Sequence, residues 1–170
     1  MSEVTTINAQ SILDKLKAKF GEEIFDSSEP YNLLTFSTTK ESIVDVIKFL
    51  YEDQELKFTY LTDLCGIHYP DQELQLGVIY HLHSLTKNIR VRIKVFLPLT
   101  SPRIPTMTTV FPGANWMERE TYDFFGIIFE GHPDLRRILN VDDMVAFPMR
   151  KEFPLEDPNR TDKNDEYFGR

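Results

Sequence analysis

Apolar residues recur at helical spacing twice in the first third of the chain. In NAQSILDKLKAKFG, Ile12, Leu13, Leu16 and Phe20 share one face, with Asn8 placed to cap the helix and Gly21 to stop it. YNLLTFS reads as extended, and TTKESIVDVIKFLYE returns to helical spacing through Ile43, Val44, Ile47, Leu50 and Tyr51, with Thr38 and Glu41 as its capping box. The period then falls to two. LKFTYLTDLCGIHY, LQLGVIYHLHS and NIRVRIKVFLP are strand-like runs separated by PDQE and LTK, short enough for hairpin turns, so an antiparallel meander is expected. In the last run Ile89, Val91, Ile93 and Val95 alternate with Arg90, Arg92 and Lys94, giving one apolar and one basic face. The two helices can cover the apolar one.

Prolines 98, 102, 105 and 112 interrupt the next stretch, so regular structure is expected to resume only near Asn115. NWMERETYDFF then suits a helix capped by Asn115, with Glu118 at the third capping-box position and Gly126 at the stop. At about 100° per residue, Trp116, Met117, Thr121, Phe124 and Phe125 fall on one side with Glu120 among them, while Glu118, Arg119 and Tyr122 fall on the other. GIIFEGHPDLRRIL fits either a hairpin or a strand followed by a helical turn. Beyond Asn140 the chain mixes charges with prolines and loses periodicity. The expected fold is of the α/β class, α+β type: a two-layer domain over residues 1–140, helices on a mainly antiparallel sheet, then a proline-rich extended C-terminal tail over 141–170.

Composition narrows the function. The 41% hydrophobic and 27% charged fractions suit a globular domain, and no apolar run is long enough to span a bilayer. The first residues lack the basic start, apolar core and cleavage site of a signal peptide, which predicts a cytoplasmic protein. Cys65 is the only cysteine, so this chain's thiolates hold no iron-sulfur cluster and make no internal disulfide. A net charge of -8 opposes general attraction to nucleic acid or anionic lipid. No glycine-rich phosphate loop is present.

The remaining chemistry is sparse. His81 and His83 share a strand face as metal ligands would, but no ligand spacing completes the set, and polar strand positions explain them. Cys65 and His68 point to opposite faces of a strand, so Cys65 is expected to be a small core residue rather than a nucleophile. Arg90, Arg92 and Lys94 lack interleaved aromatics for stacking bases and suit a solvated or partner-facing surface. Arg119 and Asp123 are four apart and suited to pairing. Glu120, on the apolar face, must be paired, protonated or left in a wet crevice, and Arg136 and Arg137 are the nearby cations that could satisfy it. Glu118, Glu120, Asp123 and His132 are the groups from which an acid–base hydrolase would be built.

ERETYDFFGIIFEGHPDLRRIL, from Glu118 to Leu139, closely resembles the signature of the 30 kDa (C-type) subunit family of respiratory complex I, the proton-pumping NADH:quinone oxidoreductase. FTYLTDLCGIHYP and FPMRKEFPLEDPNRTD extend the resemblance over Phe58 to Asp162. It implies an α/β domain of the peripheral arm on the cytoplasmic side of a bacterial inner membrane. That domain would carry no catalytic centre, cofactor or metal of its own, with FMN and iron-sulfur clusters in partner subunits. It would dock on the larger, D-type subunit that forms the quinone site and on neighbouring subunits, meet no nucleic acid, and reach the membrane only through the complex. The residues expected to dock are Trp116, Glu118, Arg119, Glu120, Asp123, Phe124, Phe125, Gly126, His132, Pro133, Arg136 and Arg137. The family's relatives in membrane-bound hydrogenases and related dehydrogenases offer an alternative setting, and a freestanding hydrolase a different kind of function.

Overall fold

A computed structural model describes residues 7–154; residues 1–6 and the end of the expected tail, 155–170, lie outside the described part. Helix α1 (Ala9–Phe20) starts as anticipated, with the Asn8 side chain accepting from the Ser11 N–H, and ends at Gly21 with φ 57°. Strand β1 (Ile24–Ser28) was not foreseen: four of its five residues are exposed, so it shows no alternation. It pairs antiparallel with β2 (Leu34–Thr38). Helix α2 (Ile43–Glu52) begins later than the Thr38–Glu41 capping box requires. Its N-cap is Ser42, which makes no side-chain capping bond, and in the turn before it Thr39 Oγ1 accepts from the Ser42 N–H at 3.3 Å.

The meander forms as expected from β3 (Tyr60–His68), β4 (Leu76–Ser84) and β5 (Ile89–Leu97). Strand β2 joins β5 in parallel, giving a five-stranded sheet in the order β1-β2-β5-β4-β3. One face carries Phe36, Leu64, Val78, Tyr80, Leu82, Val91, Ile93 and Val95 in a single core with Ile12 and Leu16 of α1 and Val46, Ile47 and Leu50 of α2. Two layers around one apolar core are what these patterns favour.

Two short strands frame the remaining helix. β6 (Arg103–Pro105) pairs in parallel with β7 (Ile128–Glu130), and between them α3 (Ala114–Phe125) lies against the edge strand β3. The contact is close at Gly66, where a Cβ would lie 2.4 Å from the Phe125 ring. GIIFEGHPDLRRIL therefore opens with a strand but has neither a hairpin nor a helical turn after it. Residues 141–154 contain no helix or strand, yet they return to the domain: Met149 N–H donates to the Phe124 carbonyl, and Lys151 N–H to His68 Nδ1.

Candidate docking site

Helix α3 departs from its apolar projection: Thr121 and Phe125 of the expected inner side are buried, but so are charged residues from outside it. Glu118, Arg119 and Asp123 are buried, whereas Trp116 is 62% exposed and Glu120 is exposed. The helix cap also differs: α3 begins after Gly113, which has no side chain to accept from the first N–H groups, and Asn115 is already inside it. Glu118 consequently does not complete a capping box. Its carboxylate faces the preceding loop and accepts from Thr106 Oγ1 and from the Met107 N–H, both at 2.6 Å. Burial pushes the Glu118 carboxyl up to about 7, despite the two hydrogen bonds that favour its charged form. Tyr80, fully buried on the core side of the sheet, is raised well above its ordinary value by burial and then by the Glu118 charge.

Asp123 is held in the opposite electrostatic state. Its Oδ2 accepts from the successive N–H groups of Ile138, Leu139 and Asn140 at 3.1, 2.8 and 2.9 Å, and its Oδ1 from Asn140 Nδ2 and Arg137 Nη1 at 3.0 and 2.7 Å. Burial alone would raise this carboxyl; the Asn140 and Leu139 amides and Arg137 overcome that and hold it well below the usual carboxylate range. Arg137 also donates to the carbonyls of Asp123, Met144 and Ala146. The expected Arg119–Asp123 pair is absent because Arg119 reaches across to the carbonyls of Arg136 and Arg137, at 3.2 and 3.0 Å. Three charged side chains of α3 and its sequel therefore satisfy backbone groups of an irregular segment that has no ladder of its own.

The cations expected at Glu120 are engaged elsewhere. Arg136 pairs with Asp134 at 2.9 Å on the surface, Arg137 is committed to Asp123, and Glu120 makes no hydrogen bond or ion pair among the described residues. His132 ties the turn after β7 to the helix start: its Nδ1 accepts from the Asp134 N–H at 3.0 Å, leaving Nε2 to donate to the Asn115 carbonyl at 3.1 Å. Pro133 is exposed, Phe124 half-buried, and Phe125 and Gly126 buried. Gly126 is the expected stop, with φ 73°; a Cβ there would lie 2.5 Å from the Phe147 ring. Phe147 also lies under the Arg137 and Arg150 guanidinium groups, and Arg150 Nε donates to the Phe125 carbonyl at 2.8 Å. Neither Phe147 nor Arg150 was singled out from sequence, since their roles depend on a distant segment folding back onto α3 rather than on local spacing.

The outside of this clamp carries apolar side chains among exposed charges, Arg136, Asp142 and Asp143. Leu139, Val141, Val145 and Met149 are exposed, Val145 at 95%, and Trp116 stands beside Arg119 with the guanidinium 5.3 Å from its ring. The other candidates separate from this region. Cys65 is half-buried rather than in the core, and its thiol is pushed up to about 11 by burial and then by the Asp63 charge. His81 Nε2 accepts from Arg92 Nε at 2.9 Å, and no group of three or more His, Cys, Asp or Glu side chains suited to a metal ion occurs among the described residues.

The model of the "Respiratory-chain NADH dehydrogenase, 30 Kd subunit" family matches residues 36–159. The C-type subunit of the NADH-quinone oxidoreductase of Roseiflexus sp. (strain RS-1) is 43% identical over 145 residues, covering 85% of this chain and 83% of its own. That of Rhizobium johnstonii is 45% identical over 134 residues, covering 79% and 66%. Among solved structures, the trypsin-resistant fragment (1-134) of Nqo5 aligns with a TM-score of 0.64 at 30% identity, over 76% of this chain and 100% of that one. A chain of the membrane-bound sulfane sulfur reductase, an archaeal respiratory membrane complex, aligns with a TM-score of 0.73 at 24% identity over 86% and 85%, a likeness of fold alone. With its signature folded into the clamp around Asp123 and more than half its length matched, the chain belongs to the respiratory-chain NADH dehydrogenase 30 Kd subunit family.

Proposed function

We propose that this chain is a noncatalytic structural subunit of the peripheral arm of a proton-translocating NADH:quinone oxidoreductase, docked on the quinone-site subunit. The observation that carries the reading is the division of labour at the signature. Its buried charges hold the 136–151 segment in place, and that segment and α3 display Leu139, Val141, Val145 and Trp116 outward. Exposed aliphatic and aromatic anchors on a rigid support are the ingredients of a docking surface. Trp116, Glu120, Phe124, Pro133 and Arg136 would meet the partner directly. Glu118, Arg119, Asp123, Phe125, Gly126, His132 and Arg137 would act by fixing the shape.

In this reading residues 1–140 form the docked domain and 141–170 its C-terminal tail, whose described part, 141–154, lies back against that domain. FMN and iron-sulfur clusters reside in those partners, and the assembly holds the chain at the cytoplasmic side of the membrane. No helix among the described residues is long and apolar enough to cross a membrane, which suits attachment through partners. The hydrolase reading is less well supported, because Glu118, Asp123 and His132 are each committed to groups within the chain.

Purification of the tagged chain from its native membrane, with partners identified by mass, tests the proposal. Recovery of the quinone-site subunit together with an active NADH:quinone oxidoreductase is the expected result. A partnerless chain that hydrolyses a substrate by itself would overturn it.

A further inference from the structure

A second surface, carried by the sheet rather than by α3, has a charge balance opposite to that of the whole chain. Arg90, Arg92 and Lys94 project from β5 opposite Val91, Ile93 and Val95. The register sets His83 beside Arg90 and His81 beside Arg92, and the Arg92–His81 hydrogen bond and the 3.4 Å approach of His81 to Asp63 place these side chains on one face. None of the three β5 cations forms an ion pair with a carboxylate among the described residues. Three like charges at two-residue intervals, reached by one nearby carboxylate, Asp63, and that only through His81, repel one another in a protein of net charge -8, so packing within the described residues offsets them only in part.

The end of this stripe opens into a cleft of about 610 Å³ lined by Arg90, Arg92, Asn88, Glu29, Tyr31 and Asn32. Tyr31 is 98% exposed and has φ 57°, in the left-handed region that a bulky side chain rarely adopts. An exposed aromatic ring on a strained turn, lining the same cleft as two arginines, suits an interface core, where tyrosine and arginine are enriched.

We infer that the basic stripe of β5 and the Tyr31 cleft bind a short, extended acidic segment of a neighbouring protein. Carboxylates two residues apart on an extended chain recur at about 6.8 Å, matching the spacing of Arg90, Arg92 and Lys94 along their own strand. Arginine forks offer such carboxylates two parallel hydrogen bonds. Asp63 bounds the stripe on one side and Glu29 on the other, so it accommodates a few negative charges and repels a long polyanion at both margins. A nucleic acid strand therefore fits it less well than an acidic peptide. The inference rests on the chain's membership of a multisubunit assembly but not on which neighbour covers α3.

Zero-length carbodiimide coupling in the native assembly tests it, because that reagent joins Lys94 Nζ only to a carboxylate in direct contact. The expected product is a Lys94 cross-link to Asp or Glu of another subunit. Acylation of Lys94 should also be about tenfold slower in the assembly than in the isolated chain, a difference equivalent to about 1.4 kcal/mol. The Arg90→Glu/Lys94→Glu variant should keep its fold by circular dichroism and lose its contact with the cross-linked neighbour, while Arg90→Lys/Lys94→Arg should retain it. A Lys94 that acylates equally fast in both states overturns the inference. So does a cross-link to Glu3 or to an acidic residue of 155–170 in this chain, or protection that nuclease treatment removes. A wild-type chain that assembles normally with Lys94 free sinks this inference alone; one that recovers no partner sinks the proposed function instead.

Discussion

Arg137 and Asp123 form a buried ion pair, Nη1 to Oδ1 at 2.7 Å, with the two side chains 9% and 0% exposed. A pair so placed is sensitive to loss of either member, since the survivor is left charged without water. Asp123 moreover gathers three consecutive backbone N–H groups that no other side chain among the described residues accepts from. Asp123→Ala should therefore lower stability by about 3–5 kcal/mol in urea unfolding. Asp123→Asn, which keeps one acceptor oxygen, should lie between it and the wild type. Limited proteolysis should cut the alanine variant first within residues 138–150. An alanine variant as stable and protease-resistant as the wild type would show that the clamp does not hold the segment.

The layers of this domain were legible from periodicity. Alternation of Val91, Ile93 and Val95 with Arg90, Arg92 and Lys94 fixed which face of β5 meets the helices, and the meander followed from turn length. The parallel β2–β5 pairing was not, because it joins strands separated by a helix and two other strands, with no turn to announce it. At α3 the apolar projection misled for an identifiable reason. It assumes that a buried helix face meets apolar side chains, whereas this face meets loops whose amides need acceptors, so carboxylates rather than Trp116 turn inward. Glu120, expected to be buried and paired, consequently points outward. Gly126 was readable because a helix stop needs only local information.

Glu118 should give the protein a pH dependence of unusual sign. Its pKa rises from 4.5 unfolded to about 7 folded, so between these values the folded state binds more protons than the unfolded. Stability from this group is therefore greatest below about pH 4.5, falls as pH rises through 7, and is then constant, a change on the order of 3 kcal/mol. His81 acts oppositely: burial and then the Arg92 charge lower its pKa, so its contribution is lost as pH falls below 6.5. Asp123, with its depressed pKa, loses its contribution only below about 3.8. Chemical denaturation of wild type and Glu118→Gln across pH 4.5–7.5 isolates the glutamate, since the other two groups cancel in the difference. The glutamine variant should gain on the wild type as pH rises; parallel curves would show that Glu118 ionises normally.

Two glycines set how closely the clamp can pack. Gly126 combines φ 73° with a Cβ position 2.5 Å from Phe147 and 2.8 Å from Arg150 Nη2. Gly126→Ala should therefore cost more than a left-handed backbone alone, in the range of about 2–4 kcal/mol. Gly66→Ala, whose Cβ would lie 2.4 Å from the Phe125 ring without a positive φ, should separate crowding from backbone strain. Thermal melts that leave Gly126→Ala at the wild-type midpoint would show that the 147–150 segment does not lie against the helix stop.

Trp116 and Glu120 give the test least confounded by folding. Both are exposed, and the local contact Trp116 makes is with the Arg119 guanidinium, 5.3 Å from its ring, worth about 0.5–1 kcal/mol at an exposed site. Trp116→Ala and Glu120→Ala should leave the isolated chain within about 1 kcal/mol of wild type. If α3 faces a partner, Trp116→Ala should nevertheless reduce recovery of the quinone-site subunit from membranes by an order of magnitude or more, as loss of an aromatic anchor does. Glu120→Ala should act more weakly, through the salt dependence of association. This pattern, a binding defect without a stability defect, cannot arise from the clamp, because Asp123→Ala would lower both together. Full recovery of that partner with Trp116→Ala would move the docking surface away from α3 and toward the Leu139 to Val145 strip, where Val145→Asp would then become the decisive substitution.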